Sequence, residues 1–405
     1  MTRRQRQQLV RRLETASAIR TQTVRTAFLE IPREIFIPDV AERLGIGAVY
    51  RDEAHPIKTD TRGDAISSSS QPQIMALMLE EARVSPGHRI LEIGTGTGYN
   101  AALLSALVGA KGRVTSIELD PQLASQAKRS IRVAGQRARV IVGDGRRGWR
   151  DDAPYDRIIA TASSLEVPRA FLEQLNEGGL LVLPVRLSDA IPFRQIVVTF
   201  QREGDRLRSV SVLRGGFMRL RDRPEDPSLP WPLSKVVETR DGTERTVAEL
   251  SGPTLNRLAA RERRDLLALL LSRPRSRAIG MRVSDRRLWE LESFILLAAP
   301  EGGVVGCARE DLGQLLYCTT ALPAIIDTDS SGLAHLSGVR TASRIDAYGG
   351  DRAERMLADL VDEWRRRGRP GVAQLGVEVS FGHASRVGVW RSKRRGSSTI
   401  AFDYR

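Results

Sequence analysis

One stretch, residues 89–100 (RILEIGTGTGYN), constrains the fold of this chain more than any other. Its first part is a short run of branched apolar residues, which predicts a buried strand, and residues 101–108 have the apolar content of a helix. Between them stand three glycines at alternate positions, and glycine allows a sharp turn and a close approach of a ligand to the backbone. The helix N-terminus adds unpaired amide groups. The stretch therefore predicts a strand–turn–helix unit that binds a nucleoside.

The segment that follows repeats this alternation, because strand and helix patterns succeed one another from Arg89 to about Arg214. Two βαβ units in series predict a parallel sheet. The elements expected after the first unit are strands at 113–118, 139–142, 155–161 and 180–185 and helices at 121–134 and 168–175. Residues 195–201 and 207–213 predict an antiparallel pair that closes the sheet. We therefore expect an α/β fold.

The first 80 residues carry weaker patterns. Apolar residues at spacings of three and four predict one helix over about Gln7–Phe28, and two prolines bracket the apolar patch IPREIFIP at residues 31–38. Residues 50–64 are polar and predict irregular structure. Residues 66–72 (ISSSSQP) precede a clear helical pattern at 74–80, so the serines first suggest a helix cap and a flexible turn.

Beyond about residue 220 the composition changes. Four prolines among charged residues predict a linker over 219–232, and a second region of mixed α and β character follows. The apolar segments 266–271 and 288–299 fit either class, whereas 353–367 predicts a helix with one apolar face. The last residues alternate after a turn at 394–396, which predicts a terminal hairpin. These features divide the chain into residues 1–80, 81–220 and 221–405.

Composition excludes several classes of protein. Hydrophobic content of 41% and charged content of 28% are typical of a globular protein. No run approaches the ~20 apolar residues of a membrane span, and the N-terminus lacks the apolar core of a secretory signal, so we expect a cytoplasmic protein. Two cysteines, Cys307 and Cys318, exclude a disulfide framework and a four-cysteine metal site. The four histidines lack metal-ligand spacing, so no metal is expected, and the sequence leaves the oligomeric state open.

The net charge of +14 is compatible with nucleic-acid binding. Nearly all of the positive charge is arginine, since the chain has only five lysines, and the arginines are scattered apart from clusters at 365–367 and 393–395. Such a bias reflects genomic base composition as readily as a phosphate-binding face. We favour a solvated surface over a nucleic-acid footprint by about two to one.

Two acidic residues follow consecutive predicted strands, Glu118 after the second and Asp144 after the third. An acid at the first position can accept both ribose hydroxyls of a nucleoside, and ligands of open sheets bind beyond the carboxyl ends of the strands. Asp144 can accept a hydrogen bond from an adenine amino group. The alternative, a helix cap or surface turn for each acid, we rate at roughly one in five. No lysine follows the glycines, which excludes a phosphate-binding P-loop.

Several ordered motifs resemble those of one family. Residues 91–99 (LEIGTGTGY) resemble motif I of S-adenosylmethionine-dependent methyltransferases, and in detail the chain resembles the protein-L-isoaspartate O-methyltransferases. The resemblance runs from about Thr26 to Leu220 and includes residues 31–38, 66–72, 143–145, 158–162 and 174–185. It implies a Rossmann-like class I methyltransferase domain, here with an additional C-terminal α+β domain. It also implies S-adenosyl-L-methionine as the methyl donor and S-adenosyl-L-homocysteine as the product.

The same resemblance implies the residues of a site. The cofactor-binding residues expected from it are Glu92, Gly94, Thr95, Gly96, Gly98, Tyr99, Asn100, Glu118, Leu119, Asp144 and Gly145. The serine–proline loop is expected to meet the substrate carboxylate through Ser68, Gln71 and Pro72, and the hydroxyls of Ser69, Ser70 and Thr161 are expected to orient that carboxylate. A carboxylate is already ionised at pH 7. The reaction therefore needs proximity and orientation rather than a strong base.

Two departures from the family bear on the substrate. Four serines stand at 67–70 where the ordinary repair enzyme has one, and residues 221–405 have no counterpart in the short housekeeping enzyme. The architecture is similar to actinobacterial methyltransferases of ribosomally made peptides, in which an aspartyl side chain is methylated and the next backbone amide closes a succinimide. We favour such peptide tailoring somewhat over repair of isoaspartyl residues in damaged proteins. The C-terminal region would then hold the peptide; we rate a mere appendage at roughly one in three.

Two other classes are disfavoured. Residues 160–163 (ATAS) stand where amino-methylating base enzymes carry an Asp/Asn-Pro-Pro-aromatic run, and both cysteines lie outside the catalytic domain, where cytosine-C5 enzymes need theirs. A binding module without turnover is disfavoured by the intact glycine loop. The partner expected is a peptide or protein with an aspartyl or isoaspartyl residue, with neither nucleic acid nor membrane.

Overall fold

The computed structural model of the protein describes residues 2–61, 63–191, 194–224, 226, 234–240, 243–309, 322–327, 331–337, 341–382 and 390–404. Cys318, His383 and three of the four prolines of the expected linker lie outside the described residues. The chain forms two compact units. The first contains residues 1–185, 196–228 and 376–403, and the second contains residues 186–195, 229–375 and 404–405.

The first unit begins with helices and a small hairpin. The elements are α1 Thr2–Thr15, α2 Gln22–Glu30, α3 Pro38–Leu44, α4 Ile46–Val49, β1 His55–Thr59, β2 Ala65–Ser69 and α5 Pro72–Ala82. The single helix predicted over residues 7–28 is wrong, because the chain turns between α1 and α2. Ser17 has a left-handed backbone with φ of +55°, and Glu80 of α5 accepts hydrogen bonds from the N–H groups of Arg20 and Thr21.

The serine run belongs to a strand. β2 pairs antiparallel with β1, with Ser69 opposite His55 and Ser68 opposite Pro56. The residue before α5 is Gln71, whose side chain makes no cap hydrogen bond to the helix. The interpretation of the serines as a helix cap is therefore wrong, and the irregular structure expected for residues 50–64 is interrupted by β1.

A ten-stranded sheet forms the body of the first unit. Its strands are β3 Arg89–Ile93, β4 Arg113–Glu118, β5 Arg139–Val142, β6 Tyr155–Ala160, β7 Leu175–Arg186, β8 Gln195–Glu203, β9 Arg206–Gly215, β17 Leu375–Ser380, β18 Arg391–Arg395 and β19 Ser398–Tyr404. Their spatial order is β18-β19-β17-β9-β8-β7-β6-β3-β4-β5. The strands from β7 to β5 pair in parallel. Their carboxyl ends therefore meet at one edge, where ligands of such sheets bind.

The helices between these strands confirm the predicted alternation. They are α6 Tyr99–Val108, α7 Pro121–Val133 and α8 Arg169–Gln174. The expectation that β8 and β9 close the sheet is wrong. β9 pairs antiparallel with β17, with Glu378 opposite Arg208, because an edge strand keeps unpaired N–H and C=O groups that another strand can satisfy.

The second unit is built on a separate, antiparallel sheet of seven strands. They are β10 Ser234–Arg240, β11 Thr243–Ser251, β12 Arg275–Ser284, β13 Val304–Arg309, β14 Leu322–Asp327, β15 Gly332–Ser337 and β16 Thr341–Gly349, in the order β10-β11-β13-β14-β15-β16-β12. The helices are α9 Ala260–Leu271, α10 Asp285–Ala298 and α11 Arg352–Arg366. The apolar segments 266–271 and 288–299, for which the sequence left helix and strand open, thus belong to helices. The helix predicted over 353–367 is confirmed.

The fold class is confirmed: a Rossmann-like α/β unit is accompanied by an α+β unit. The boundary expected at residue 221 differs from the division in the structure, because residues 376–403 return to the first unit. The predicted terminal hairpin forms, buries Ile400 and Phe402, and joins the ten-stranded sheet. Among the described residues, no helix is long and apolar enough to cross a membrane.

Candidate active site

The glycine turn after β3 has one glycine that faces β2. Gly94, Gly96 and Gly98 all have positive φ, at +93°, +53° and +88°, a conformation that favours glycine. A side chain on Gly94 would lie 2.7 Å from the Thr161 hydroxyl, and one on Gly98 would lie 3.1 Å from Ala127 of α7. A side chain on Gly96 would meet only the Ser68 carbonyl, at 3.8 Å. Gly96 is therefore the glycine of the turn that lies next to β2.

Glu118, at the end of β4, faces the glycine turn. Its carboxylate accepts hydrogen bonds from the N–H of Gly96 at 2.7 Å and from the N–H of Asp120 at 3.1 Å. Burial raises the pKa of Glu118, although these hydrogen bonds act in the opposite direction. Leu119 beside it is half-buried. The Glu118 carboxylate therefore holds the glycine turn through the Gly96 N–H.

Glu92 lies beneath the glycine turn, in the interior of the first unit. Its carboxylate is fully buried and accepts hydrogen bonds from the amide of Asn100, at 2.8 Å, and from the hydroxyl of Ser116. Ser116 also bonds the hydroxyl of Thr95 at 2.6 Å. Burial raises the pKa of Glu92 to about 7, against the effect of these two donors. Glu92, Thr95 and Asn100 therefore support the turn from below.

The Tyr99 side chain lies in the core rather than at the glycine turn. It is buried in the core and packs against Phe28 and Phe36, with ring centroids 6.3 Å and 5.4 Å apart. Of this residue, only the backbone at the start of α6 is near the glycine turn. The expected cofactor contact from Tyr99 therefore does not extend to its ring.

Asp144 follows β5, and an arginine occupies its carboxylate. Both oxygens accept hydrogen bonds from the Arg146 guanidinium, the shortest at 2.9 Å, and one also accepts from the Arg146 N–H at 3.0 Å. Partial burial acts to raise the pKa of Asp144, but Arg146 outweighs it, so the pKa lies below its ordinary value. Arg146 also pairs with Asp222. Gly145 is buried, and a side chain there would overlap Ile93.

The serine strand is held by a buried arginine that the sequence interpretation missed. Arg33 is 0% exposed, and its guanidinium donates to the carbonyls of Val49 at 2.9 Å and Ser70 at 3.0 Å and to the Ser69 hydroxyl at 3.4 Å. It also donates to the carbonyls of Arg51 and Glu53. Burial lowers the pKa of Arg33. The motif IPREIFIP contained this residue, but a buried arginine that binds carbonyls has no sequence signature.

The start of α5 is fixed by Asp52. This carboxylate accepts hydrogen bonds from the side-chain amide of Gln71 at 2.9 Å and from the N–H of Gln73 at 2.8 Å. Pro72 is buried, whereas Ser68 and Ser70 are half-buried. Of the expected acceptor-side residues, the structure therefore leaves Ser68 and Ser70 partly accessible and engages Ser69 and Gln71.

Thr161 links β6 to the glycine turn. Its hydroxyl donates to the carbonyls of Ile93 at 3.1 Å and Gly94 at 2.5 Å. The Thr161 side chain therefore lies beside the glycine turn with its hydroxyl hydrogen directed to the backbone, whereas the role expected from the sequence was to orient a substrate carboxylate. The structure brings the glycine turn, Glu118, Thr161 and the serine strand together at the carboxyl end of the sheet.

The residues around this site match one family. Residues 4–222, more than half of the chain, match protein-L-isoaspartate(D-aspartate) O-methyltransferase. The chain belongs to this family. A Methanopyrus kandleri protein-L-isoaspartate O-methyltransferase is 41% identical over 186 residues, which cover 45% of this chain and 77% of that protein. One from Hyperthermus butylicus is 37% identical over 237 residues, covering 56% and 88%.

A solved structure bearing the name protein-L-isoaspartate O-methyltransferase matches almost the whole chain. The match has a TM-score of 0.51 and 25% identity, and it covers 93% of this chain and 96% of that chain. A solved protein of that name therefore extends over the second unit as well. The length of the C-terminal region does not by itself indicate peptide tailoring.

One further arginine borders the cofactor side of this family member. Arg221 is nearly buried, and its guanidinium donates to the backbone carbonyls of Pro224 and Asp226. Burial lowers its pKa, and the carboxylates of Glu118 and Asp120 are among the charges that oppose this. Two backbone hydrogen bonds fix this segment: the N–H of Ser163 donates to the carbonyl of Met218, and the N–H of Leu220 donates to the carbonyl of Ser163, each at 2.8 Å. The chain after β9 thus passes close to the end of β4.

Proposed function

We propose that this chain transfers a methyl group from S-adenosyl-L-methionine to the carboxylate of an isoaspartyl residue in a protein or peptide. The observation that carries the proposal is the placement of the glycine turn, the Glu118 carboxylate and the serine strand next to one another at the carboxyl end of the sheet. Glu118 accepts a hydrogen bond from the N–H of Gly96, and a side chain on Gly96 would meet the Ser68 carbonyl. Family membership supports the same activity.

The residues present fit this cofactor. Gly96 puts no side chain between the glycine turn and β2, Glu118 offers carboxylate oxygens to ribose hydroxyls, and half-buried Leu119 offers an apolar surface to a base. When bound, the cofactor supplies an electrophilic methyl group, whose carbon–sulfur bond breaks as a carbon–oxygen bond to the carboxylate forms, giving a neutral thioether and a methyl ester. For Asp144 to accept a hydrogen bond from an adenine amino group, Arg146 has to release at least one of the carboxylate oxygens to which it donates.

The chain's own part in the reaction is positioning. An acceptor carboxylate is already ionised near neutral pH, so no general base is required. Rigid placement of reacting groups supplies a large share of the rate enhancement in such cases. Arg33 joins the end of β2, at Ser69 and Ser70, to the carbonyls of Val49, Arg51 and Glu53, and so fixes the strand that lies next to Gly96. Thr161 fixes the turn itself from the opposite strand.

His55 is poorly suited to act as a base here. Its Nε2 lies 3.2 Å from the carbonyl of Ala48, within the wall of the site. Burial and the nearby positive charge of Arg33 lower its pKa. This environment favours a neutral, structural imidazole, in agreement with a reaction that moves no proton.

A second candidate is tailoring of an aspartyl side chain in one ribosomally made peptide. There the methyl ester would be attacked by the backbone nitrogen of the next residue, methanol would leave, and a succinimide would form. The four consecutive serines favour a specialised acceptor edge. The full-length match to a solved isoaspartate methyltransferase favours the first candidate, which we therefore place ahead.

The test compares two isomeric hexapeptides, one with an isoaspartyl residue and one with aspartyl at the same position. We expect labelled methyl to pass to the isoaspartyl peptide and much less to its isomer. A Gly96→Val variant serves as the enzyme control, because Gly96 has a φ of +53° that valine rarely adopts and its side chain would stand between the glycine turn and β2. Transfer to the aspartyl isomer alone would favour the second candidate, and no transfer to either would contradict the proposal.

A further inference from the structure

Lys58 of β1 joins the serine hairpin, which consists of β1 and β2, to the chain just after β4. Its ammonium donates a hydrogen bond to the carboxylate of Asp120, the residue that precedes α7. The N–H of Asp120 in turn donates to the Glu118 carboxylate at 3.1 Å, and Glu118 accepts from the N–H of Gly96 at 2.7 Å. A continuous series of contacts therefore runs from β1 to the glycine turn.

The Asp120 carboxylate is buried, and each of its oxygens has a fixed partner. The residue is 2% exposed. One oxygen accepts from the N–H groups of Gln122 at 2.8 Å and Leu123 at 3.3 Å and so caps α7, whereas the other accepts from Lys58. Burial acts to raise the pKa of Asp120, but Lys58 and the two N–H groups outweigh it, so the pKa lies below its ordinary value. A buried carboxylate is costly without a paired cation, and this cost holds Lys58 in place.

Two irregularities in the serine hairpin accompany this pairing. The register skips Ile57, just before Lys58 on β1, and Ile66 on β2. Such bulges change the direction of neighbouring side chains. Ile57 packs against the main core of the first unit and Ile66 is buried, whereas Lys58 extends to Asp120. The backbone of the hairpin is therefore shaped so that its apolar side chains point inward while Lys58 reaches the start of α7.

The serine hairpin is anchored by charged side chains at two levels. It forms a separate sheet of two strands, and a hairpin by itself is only marginally stable. Arg33 donates to the Ser69 hydroxyl at 3.4 Å, at the end of β2 that leads to α5. Lys58 lies opposite the residue that precedes Ser68. Ser68 is thus between the two anchors, and its carbonyl is the group that a side chain on Gly96 would meet.

We propose that Lys58 is a positioning residue that places the serine hairpin against the glycine turn before the cofactor and the acceptor bind. The inference rests on the proposed function for the identity of these two ligands. It adds a residue outside the site expected from the sequence. A site that is already ordered binds its ligands more tightly, because binding does not have to order it. Lys58 thus contributes to acceptor binding without touching the acceptor.

Asp120 makes this role separable from general stabilisation. The oxygen that caps α7 is not the one that accepts from Lys58, and asparagine caps helices as well as aspartate does. In Asp120→Asn the side-chain oxygen can keep the cap, while the amide nitrogen that faces Lys58 cannot accept a hydrogen bond. Lys58→Met breaks the same pair from the other side. Neither change alters the apolar residues of the serine hairpin.

The test uses the full chain with Lys58→Met, Asp120→Asn and the double variant. Lys128→Met is the matched control, because it removes a lysine from an exposed position of α7. Hydrogen exchange of the β2 amides is measured with and without saturating S-adenosyl-L-homocysteine. The Kd of a labelled isoaspartyl hexapeptide is measured by fluorescence anisotropy under the same two conditions, and the Kd of S-adenosyl-L-homocysteine is measured by calorimetry.

Without S-adenosyl-L-homocysteine, we expect Lys58→Met to speed exchange of the β2 amides and to raise the peptide Kd, each by about 5-fold. With it, both values should return close to those of the wild type, because the bound ligand then orders the hairpin. Asp120→Asn should act in the same way, and the double variant should show no more than either single change. The α7 control should change neither value.

Two results would overturn the positioning role. One is unchanged exchange of the β2 amides in Lys58→Met together with weaker S-adenosyl-L-homocysteine binding, since Lys58 would then contact the cofactor directly. The other is additive effects of Lys58→Met and Asp120→Asn, which would show that the two residues act independently. The expected exchange pattern in a wild-type chain that neither binds nor methylates the isoaspartyl peptide would sustain the role of Lys58 and overturn the proposed function instead.

Discussion

The two sides of the candidate site are each supported by a buried charge, but of opposite sign and in different surroundings. Under the glycine turn, the Glu92 carboxylate has two side-chain donors, Asn100 and Ser116. Under the serine strand, the Arg33 guanidinium donates almost entirely to backbone carbonyls. A carboxylate can take up a proton when its charge is costly, whereas an arginine stays charged. The charge beneath the glycine turn can therefore change with pH, whereas the charge beneath the serine strand cannot.

The two sides of the site also differ in the elements that hold their backbone in place. The cofactor side takes its geometry from adjacent parallel strands and from glycines that permit an unusual backbone. The acceptor side consists of a two-stranded hairpin, which has little stability alone. It depends on Arg33 to join β2 to the loop between α4 and β1. Substitutions should therefore affect the acceptor side more strongly.

The largest effect is expected for Arg33→Met. The change leaves several buried carbonyls without donors, so we expect a loss of about 3–5 kcal/mol in the free energy of unfolding. In the folded fraction, KM for the isoaspartyl peptide should rise much more than the calorimetric Kd for the cofactor. Arg11→Met, at an exposed position of α1, is the control. A variant with normal stability and normal KM would mean that Arg33 does not hold the acceptor side.

A smaller effect is expected for Glu92→Gln, and it depends on pH. The pKa of Glu92 is raised from 4.5 to about 7 in the folded chain, so the folded state binds the proton more tightly than the unfolded state. Wild-type stability should therefore be full below pH 4.5 and fall by up to about 3 kcal/mol as pH rises to 7. Glutamine removes the charge: its oxygen can still accept from Asn100, and its amide can donate to the Ser116 hydroxyl if that hydroxyl turns to donate to Thr95.

Denaturation at pH 5 and pH 8 measures this difference. We expect Glu92→Gln to be more stable than the wild type at pH 8 and similar to it at pH 5. Glu42→Gln, at an exposed position of α3, should change little at either pH. An equal shift at both pH values would show that the Glu92 carboxylate stays ionised, and the contrast with Arg33 would then fail.

The smallest effect is expected for Arg146→Gln. Arg146 occupies the oxygens of Asp144, so its removal should free that carboxylate and tighten cofactor binding by about 3-fold, as suits a partly exposed ion pair. Arg147→Gln is the matched control, since Arg147 is 87% exposed and 3.9 Å from the same carboxylate. Calorimetric titration measures both. Weaker binding in Arg146→Gln would indicate that Arg146 itself contacts the ligand.

Local patterns predicted much of the cofactor side. The strand–turn–helix at residues 89–108 and the two carboxylates after β4 and β5 follow from rules that act over a few residues. The terminal hairpin and α11 were also predicted, because their apolar residues repeat at the period of the element. Predictions failed where a distant residue decides the structure. The break after α1 depends on Glu80, and the strand at 65–69 depends on pairing with β1.

The acceptor side shows the same limit more clearly. Nothing near Arg33 in sequence identifies its partners, which lie 16–37 residues away. Asp144 and Arg146 are only two residues apart, but the sequence pattern does not show whether an arginine at this position pairs with the aspartate or extends into solvent. The order of strands in a sheet is also set by residues far apart in sequence. The sequences of β8 and β9 therefore do not indicate that β17 pairs with β9.

The return of residues 376–403 to the first sheet has a consequence for how the enzyme is made. The first unit is discontinuous along the chain, and its edge strands come from residues that follow the second unit in the sequence. During synthesis, β9 must wait with an open edge until the second unit has emerged. A chain that ended before residue 376 would contain every residue of the glycine turn and yet lack the strands that complete the sheet. Completion of the first sheet is thus delayed until the second unit has been translated.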